Sequence, residues 1–168
     1  MRNVVTLVAF ALATTATAQV SAAETALGIA RTKAKVEDLR LDESYKLFIN
    51  HMFNDYVGVE ISHGKYGEYV DALESEETKF VATNLAAIGA IPLSENFSLF
   101  GKLGISEWKF EVDAAGPGNT SETGHDPVIG LGLDIRVGSA GFFKIEFEKL
   151  DTDEGDAEST NLGIGFRF

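Results

Sequence analysis

Nine charged residues share one side of a two-residue repeat: Lys46, Lys102, Arg136, Lys144 and Arg167, with Glu60, Asp134, Glu146 and Glu148. Successive side chains of an extended chain point to opposite faces, so these nine converge if the segments pair. Charges withdrawn from water must be paired or hydrated. Such a set forms either a plug of ion pairs or the lining of a narrow gated path. The three histidines, His51, His63 and His125, offer little chemistry. Ser62 and His63 are adjacent, so on a strand they face opposite ways and cannot form a dyad. No catalytic residue is expected.

A second set of carboxylates lies in four hydrophilic segments, residues 37–44, 67–78, 113–126 and 151–158. They hold 17 of the 26 acids and one base, Arg40. The plain expectation is a solvated, self-repelling surface. The alternative is divalent-cation binding, with Asp151, Asp153 and Asp156 as weak ligands in a calcium-like run. That run departs from the EF-hand pattern because Gly155 stands at the fifth ligand position. Cysteine is absent, which excludes disulfides, thiolate catalysis and Cys-ligated metals. A net charge of −12 argues against nucleic acid and other polyanions. No cofactor is implied.

The elements that position these residues emerge from alternation. Tyr45, Leu47 and Ile49 oppose Lys46, Phe48 and Asn50. Ile129, Leu131, Leu133 and Ile135 oppose Gly130, Gly132, Asp134 and Arg136. Phe143, Ile145 and Phe147 oppose Lys144, Glu146 and Glu148. Seven segments of this kind predict strands with one apolar and one polar face. An eighth, residues 26–36, alternates poorly. A bulge or twist near Ala30, turning Arg31, Lys33 and Lys35 inward, is the expectation there. Tight turns at Asn54-Asp55, Ser94-Glu95-Asn96 and Ser139-Ala140 alternate with the four long hydrophilic segments.

Three features favour a membrane barrel over a soluble sandwich. The polar faces are rich in Gly, which suits a crowded interior. Aromatics gather near the short turns (Phe53, Tyr56, Phe97, Phe142, Phe166), like an interfacial girdle. The last residue, Phe168, holds the apolar parity, and strands of about 9–11 usable residues also match a tilted transmembrane strand. Trp108 is expected at the outer interface or on the strand just above it. The expected fold is all-β: a closed antiparallel eight-stranded transmembrane barrel over residues 24–168. Residues 1–23 read as a secretory signal peptide, with Arg2, an apolar run from Val4 to Ala13, and cleavage after 18 or 23.

Several stretches resemble OmpA-like barrels: residues 45–60, residues 87–104, Phe143 to Glu148, and the terminal Gly165-Phe166-Arg167-Phe168. The family pattern usually has Gly near position 51; here it is His51. The resemblance implies a multi-pass barrel in the cell outer membrane, with both termini periplasmic. It implies an assembly signal at Phe166 and Phe168 read by the barrel-assembly machinery. It also implies an interior gate built from Glu60, Lys102, Glu146 and Arg167 at similar heights. The cell-wall-binding domain of larger relatives is not matched. The expected role is non-catalytic, structural or surface-interacting. A narrow ion channel is the alternative and a lipid A-modifying enzyme the more distant one. Expected partners are outer-membrane lipids and lipopolysaccharide, with divalent cations at the acidic loops as a further candidate that could bridge to it.

Overall fold

The computed structural model describes residues 23–36, 39–40, 42–71, 76–113, 120–152 and 155–168. They form nine strands: β1 (Glu24–Val36), β2 (Leu39–Arg40), β3 (Ser44–Met52), β4 (Val57–Asp71), β5 (Glu76–Pro92), β6 (Phe97–Asp113), β7 (Thr120–Val137), β8 (Gly141–Thr152) and β9 (Gly155–Arg167). β2 is a two-residue return onto Lys35 and Val36. The other eight run antiparallel in sequence order, and β1 pairs with β9 to close the barrel. The expected signal peptide lies almost wholly outside the described residues.

Closure fixes the barrel's dimensions. Following paired residues from Ala26 leads through Asn50, Glu60, Ala86, Gly104, Val128, Leu150 and Ala157 to Val36. One circuit therefore climbs β1 from position 26 to position 36. For eight strands this stagger sets a tilt of about 40° and a backbone radius of about 8 Å. Staying level around the wall means stepping back about 1.25 residues per strand, each residue rising roughly 2.5 Å along the axis.

The apolar parity faces outward: Leu27, Ile49, Ile61, Leu85, Leu99, Leu131 and Ile164 are all exposed. They form a belt roughly 20 Å tall, close to the apolar band of outer-membrane barrels. Phe53, Tyr56, Phe97 and Phe166 ring its lower edge near the short turns. Those turns are held locally. Asn54 Oδ1 accepts from the Tyr56 and Val57 N–H groups, and Ser94 Oγ from Asn96 and Phe97. Gly138 takes φ +64°, the left-handed region that disfavours a side chain. The ends meet at this rim, where Thr25 and Phe168 exchange backbone hydrogen bonds of 3.1 and 2.9 Å.

The structure corrects four expectations. β1 holds unbroken register through Ala30, with no bulge. Small residues (Ala26, Gly28, Ala30, Thr32, Ala34) face inward there, so Arg31, Lys33 and Lys35 stay on the outer face. The irregularity falls instead on β4, between Lys65 and Gly67. Phe142 is buried against Phe48 rather than set in the girdle, and Trp108 is buried inside rather than placed at the interface. The strands are also longer than a membrane requires. β4 to β7 span 15, 17, 17 and 18 residues, because hydrophilic stretches expected as loops continue the ladder.

The inward glycines make room for rings directly across the ladder. Gly28 faces Phe48, Gly132 faces Phe100, Gly165 faces Phe142 and Gly124 faces Trp108. A Cβ at any of these glycines would overlap a ring carbon. The Gly-rich polar face is thus one half of an aromatic packing arrangement.

The facing assignment makes a direct prediction. Leu131 is 56% exposed at mid-belt, and Leu131→Arg should cost about 2–4 kcal/mol of stability in bilayers. Equilibrium unfolding in phosphatidylcholine vesicles measures it.

Candidate functional site

β8 carries Lys144, Glu146 and Glu148 on one face, two residues apart, so all three enter the bore. β3 adds Lys46, β4 adds Glu60 and β6 adds Lys102. All six are at most 5% exposed. Lys102 Nζ lies 2.7 Å from Glu60, 2.5 Å from Glu146 and 2.5 Å from Glu148. An ammonium has three protons to give, and three carboxylates surround it. Lys46 donates to Glu146 at 2.7 Å and to Glu148 at 3.1 Å. Lys144 donates to Glu60 at 2.8 Å. Three lysines and three glutamates leave the cluster neutral, which is how a charged set survives burial.

Neutral side chains add further donors to the carboxylates. Asn161 Nδ2 donates to Glu146 at 3.3 Å, and Thr32 donates to Asn161 at 2.7 Å. Tyr66 donates to Glu148, and Asn84 donates to Tyr66 at 2.8 Å. Asn50, with its amide turned to suit both neighbours, donates to Glu60 at 2.8 Å and accepts from Lys144 at 3.1 Å. Charge alone does not reveal these partners in the sequence. The signal was present, since all five hold the inward parity.

Aromatic layers cover the cluster on both sides. Phe48 packs beside it, and Phe100 and Phe142 fill the bore below, with Lys144 Nζ 4.6 Å from the centre of the Phe48 ring and 4.4 Å from that of the Phe100 ring. Above it lie Tyr66, Phe80, Trp108 and Leu150, with Phe80 and Phe110 stacked at 4.3 Å. Trp108 Nε1 donates to Asp126 at 2.5 Å.

Three of the nine expected charges stand apart. By the level rule Arg167 lies about 10 Å below Lys102, and it pairs with Glu24 at 3.2 Å. Arg136 is exposed at the short-turn rim. Asp134 lines a lower cavity of about 110 Å3 with both arginines, and its Oδ1 has no protein partner. The four-membered set with Arg167 is therefore corrected: Lys144, Lys46 and Glu148 join Glu60, Lys102 and Glu146 instead. The physical reason is the climb of paired rows around the wall, which separates residues that seem level along the chain.

The carboxylate oxygens of Glu60, Glu146 and Glu148 lie within 4.8 Å of one another. Such a triad suits a cation, and Lys102 Nζ takes that place. At the upper ends of β8 and β9, Asp156 pairs with Lys149 at 2.5 Å. The hydrogen bond from Lys149 holds the Asp156 carboxyl below its ordinary value. Asp151 is its ladder neighbour, and Asp153 lies outside the described residues. The histidines are scattered. His51 Nδ1 lies 2.9 Å from Thr25 and His63 Nδ1 2.8 Å from Thr83, while His125 faces Glu107 at 3.9 Å.

The model of the outer membrane protein beta-barrel domain matches residues 4–168. The chain belongs to that family. It is an integral outer-membrane protein. No curated protein matches the sequence. Solved barrels share the fold. Ail, the attachment invasion locus protein of Yersinia pestis, is 22% identical, covers 87% of this chain and 97% of its own, and gives a TM-score of 0.65. Neisserial surface protein A is 13% identical, with 88% and 98% covered and a TM-score of 0.69. OprG from Pseudomonas aeruginosa is 14% identical, with 88% and 96% covered and a TM-score of 0.64.

The cluster makes a second prediction. Lys102→Ala leaves three carboxylates with one ammonium fewer, which should cost about 3–5 kcal/mol. Adding Glu146→Ala should recover part of that loss, whereas Arg167→Ala and Lys102→Ala should be additive. Double-mutant cycles on thermal unfolding in detergent separate the two cases.

Proposed function

We propose that this barrel is a non-catalytic surface protein that anchors acidic extracellular segments, and that it does not conduct. The observation supporting this reading is the filled bore: a neutral six-membered charge cluster between two aromatic layers. An eight-stranded barrel has room for its own side chains and no more. A gate would need a layer that opens, whereas Lys102 is held by three carboxylates at once. Catalysis is disfavoured by placement. Ser62 and Ser106 point into the bore, and the described histidines lie outside it.

The acidic segments set the kind of partner. Ail has been solved in complex with the heparin analogue sucrose octasulfate. A chain of net charge −12 with its acids concentrated outside should repel such a polyanion. Basic proteins, or divalent cations bridging to lipopolysaccharide, suit it better. The chain is proposed to be made with the signal peptide 1–23. Phe166 and Phe168 are proposed to serve the barrel-assembly machinery.

Planar-bilayer recording of refolded protein tests the reading. The expected outcome is no discrete conductance steps, with or without divalent cations. Regular steps in the wild type, abolished by substitutions at Lys102, would establish the channel instead. In parallel, the protein should pass through immobilised heparin at low salt unretained.

A further inference from the structure

Three outward bases near the top of the apolar belt cluster on one side of the wall. Arg31 and Lys33 on β1, and Lys149 on β8, carry their charges outward. The Arg31 and Lys33 side chains are 57% and 67% exposed, and Lys149 is 40% exposed. By the level rule the three fall within about 5 Å of the same height, at the top of the apolar belt. On the opposite wall that level is held by His63, Thr83 and Ile105, with a single base among the described residues, Lys65, just above them. Arg31 sits lowest, level with Ile129.

A groove of about 690 Å3 runs between these bases and the apolar wall below. Ile129, Leu131 and Phe147 line its lower part, and Lys33, Lys35 and Lys149 its upper part together with the acids Asp42, Glu43 and Glu158. The two chemistries are stacked in the order an amphiphile in the outer leaflet presents them. Acyl carbon lies against Ile129, Leu131 and Phe147, and a headgroup anion lies at the bases. Glu43 pairs with Arg31 and Lys33, and Asp156 with Lys149. Those acids lie higher on the wall by the level rule. Exposed pairs of this kind are weak and exchange partners readily. At the bilayer interface a phosphate competes from below while the acids remain in water above.

We infer that the β8–β9–β1 wall binds the phosphorylated headgroup of an anionic outer-leaflet lipid, with Arg31, Lys33 and Lys149 as the phosphate ligands and Phe147 against its acyl chain. This differs from cation bridging at the loops, because it needs no divalent ion. It stands independently of conduction, since the bore takes no part.

The test compares refolded wild type with the Arg31→Gln/Lys33→Gln/Lys149→Gln triple variant. Thermal unfolding is followed in phosphatidylcholine vesicles with and without bis-phosphorylated lipid A, always in the presence of EDTA. The expected result is a rise in Tm with lipid A for the wild type, lost in the triple variant and retained in Lys109→Gln. Both variants should refold normally in plain phosphatidylcholine. Should the triple variant fail to refold, the single variants Lys33→Gln and Lys149→Gln are measured, each expected to lose part of the rise. Unchanged response in the variants, or equal loss in Lys109→Gln, overturns the assignment. Inorganic phosphate should not reproduce the rise; if it does so at millimolar concentration, the site takes free anions and the lipid assignment fails. Dephosphorylated lipid A giving the full rise would also overturn it.

Discussion

Hydrocarbon offers no water to a peptide group, so every N–H and C=O that crosses a bilayer must find its partner along the wall. Eight antiparallel strands closing on themselves satisfy that demand, and the barrel's other dimensions come from the same closure. The ten-position stagger sets the tilt, and the tilt sets a radius near 8 Å. At that radius, the alternate residues that do not meet lipid meet one another. The interior must then be packed to protein density from the very positions the strand pattern leaves polar. Balanced charge and rings seated over glycines are the means this sequence uses.

The charge cluster also fixes register. β8 reads lysine, glutamate, glutamate at alternate inward positions. A slip of one residue would turn all three to lipid. A slip of two would bring Lys144 to the place of Glu146, setting its ammonium against that of Lys102. Hydrophobic burial alone does not penalise the second error, because alternation survives it. The ion pairs do.

Much of the fold is legible in the sequence because period-two alternation is strong wherever one face meets hydrocarbon. Alternation alone puts Leu99, Leu131, Ile145 and Ile164 on the outer wall, where the structure has them. The signal fails where the outer face is polar. In β1, Arg31 and Lys33 share the parity of Leu27 and Ile29, and the mismatch suggests a bulge where the strand simply rises out of the belt. The upper parts of β4 to β7 look like loops for the same reason. Residue type also misleads: aromatics favour interfaces, yet Trp108 and Phe142 lie on the inward parity and are buried. The site is legible in membership more than in geometry. Lys102, Glu60 and Glu146 do meet, but Arg167 does not join them. Relative height depends on the stagger, which pattern alone does not reveal.

The ladder seats four interior rings, Phe48, Phe100, Phe142 and Trp108, each on a glycine of a neighbouring strand. Gly132 holds Phe100, and Gly165 holds Phe142. This couples positions far apart in the chain during sequence drift. A methyl group arriving first at the glycine meets the ring, and a ring lost first leaves an unfilled space beside bare backbone. Either single step is costly, so the two members of a pair change together or exchange places. Descendants of this chain should therefore conserve the sum of each pair's volume more faithfully than either residue.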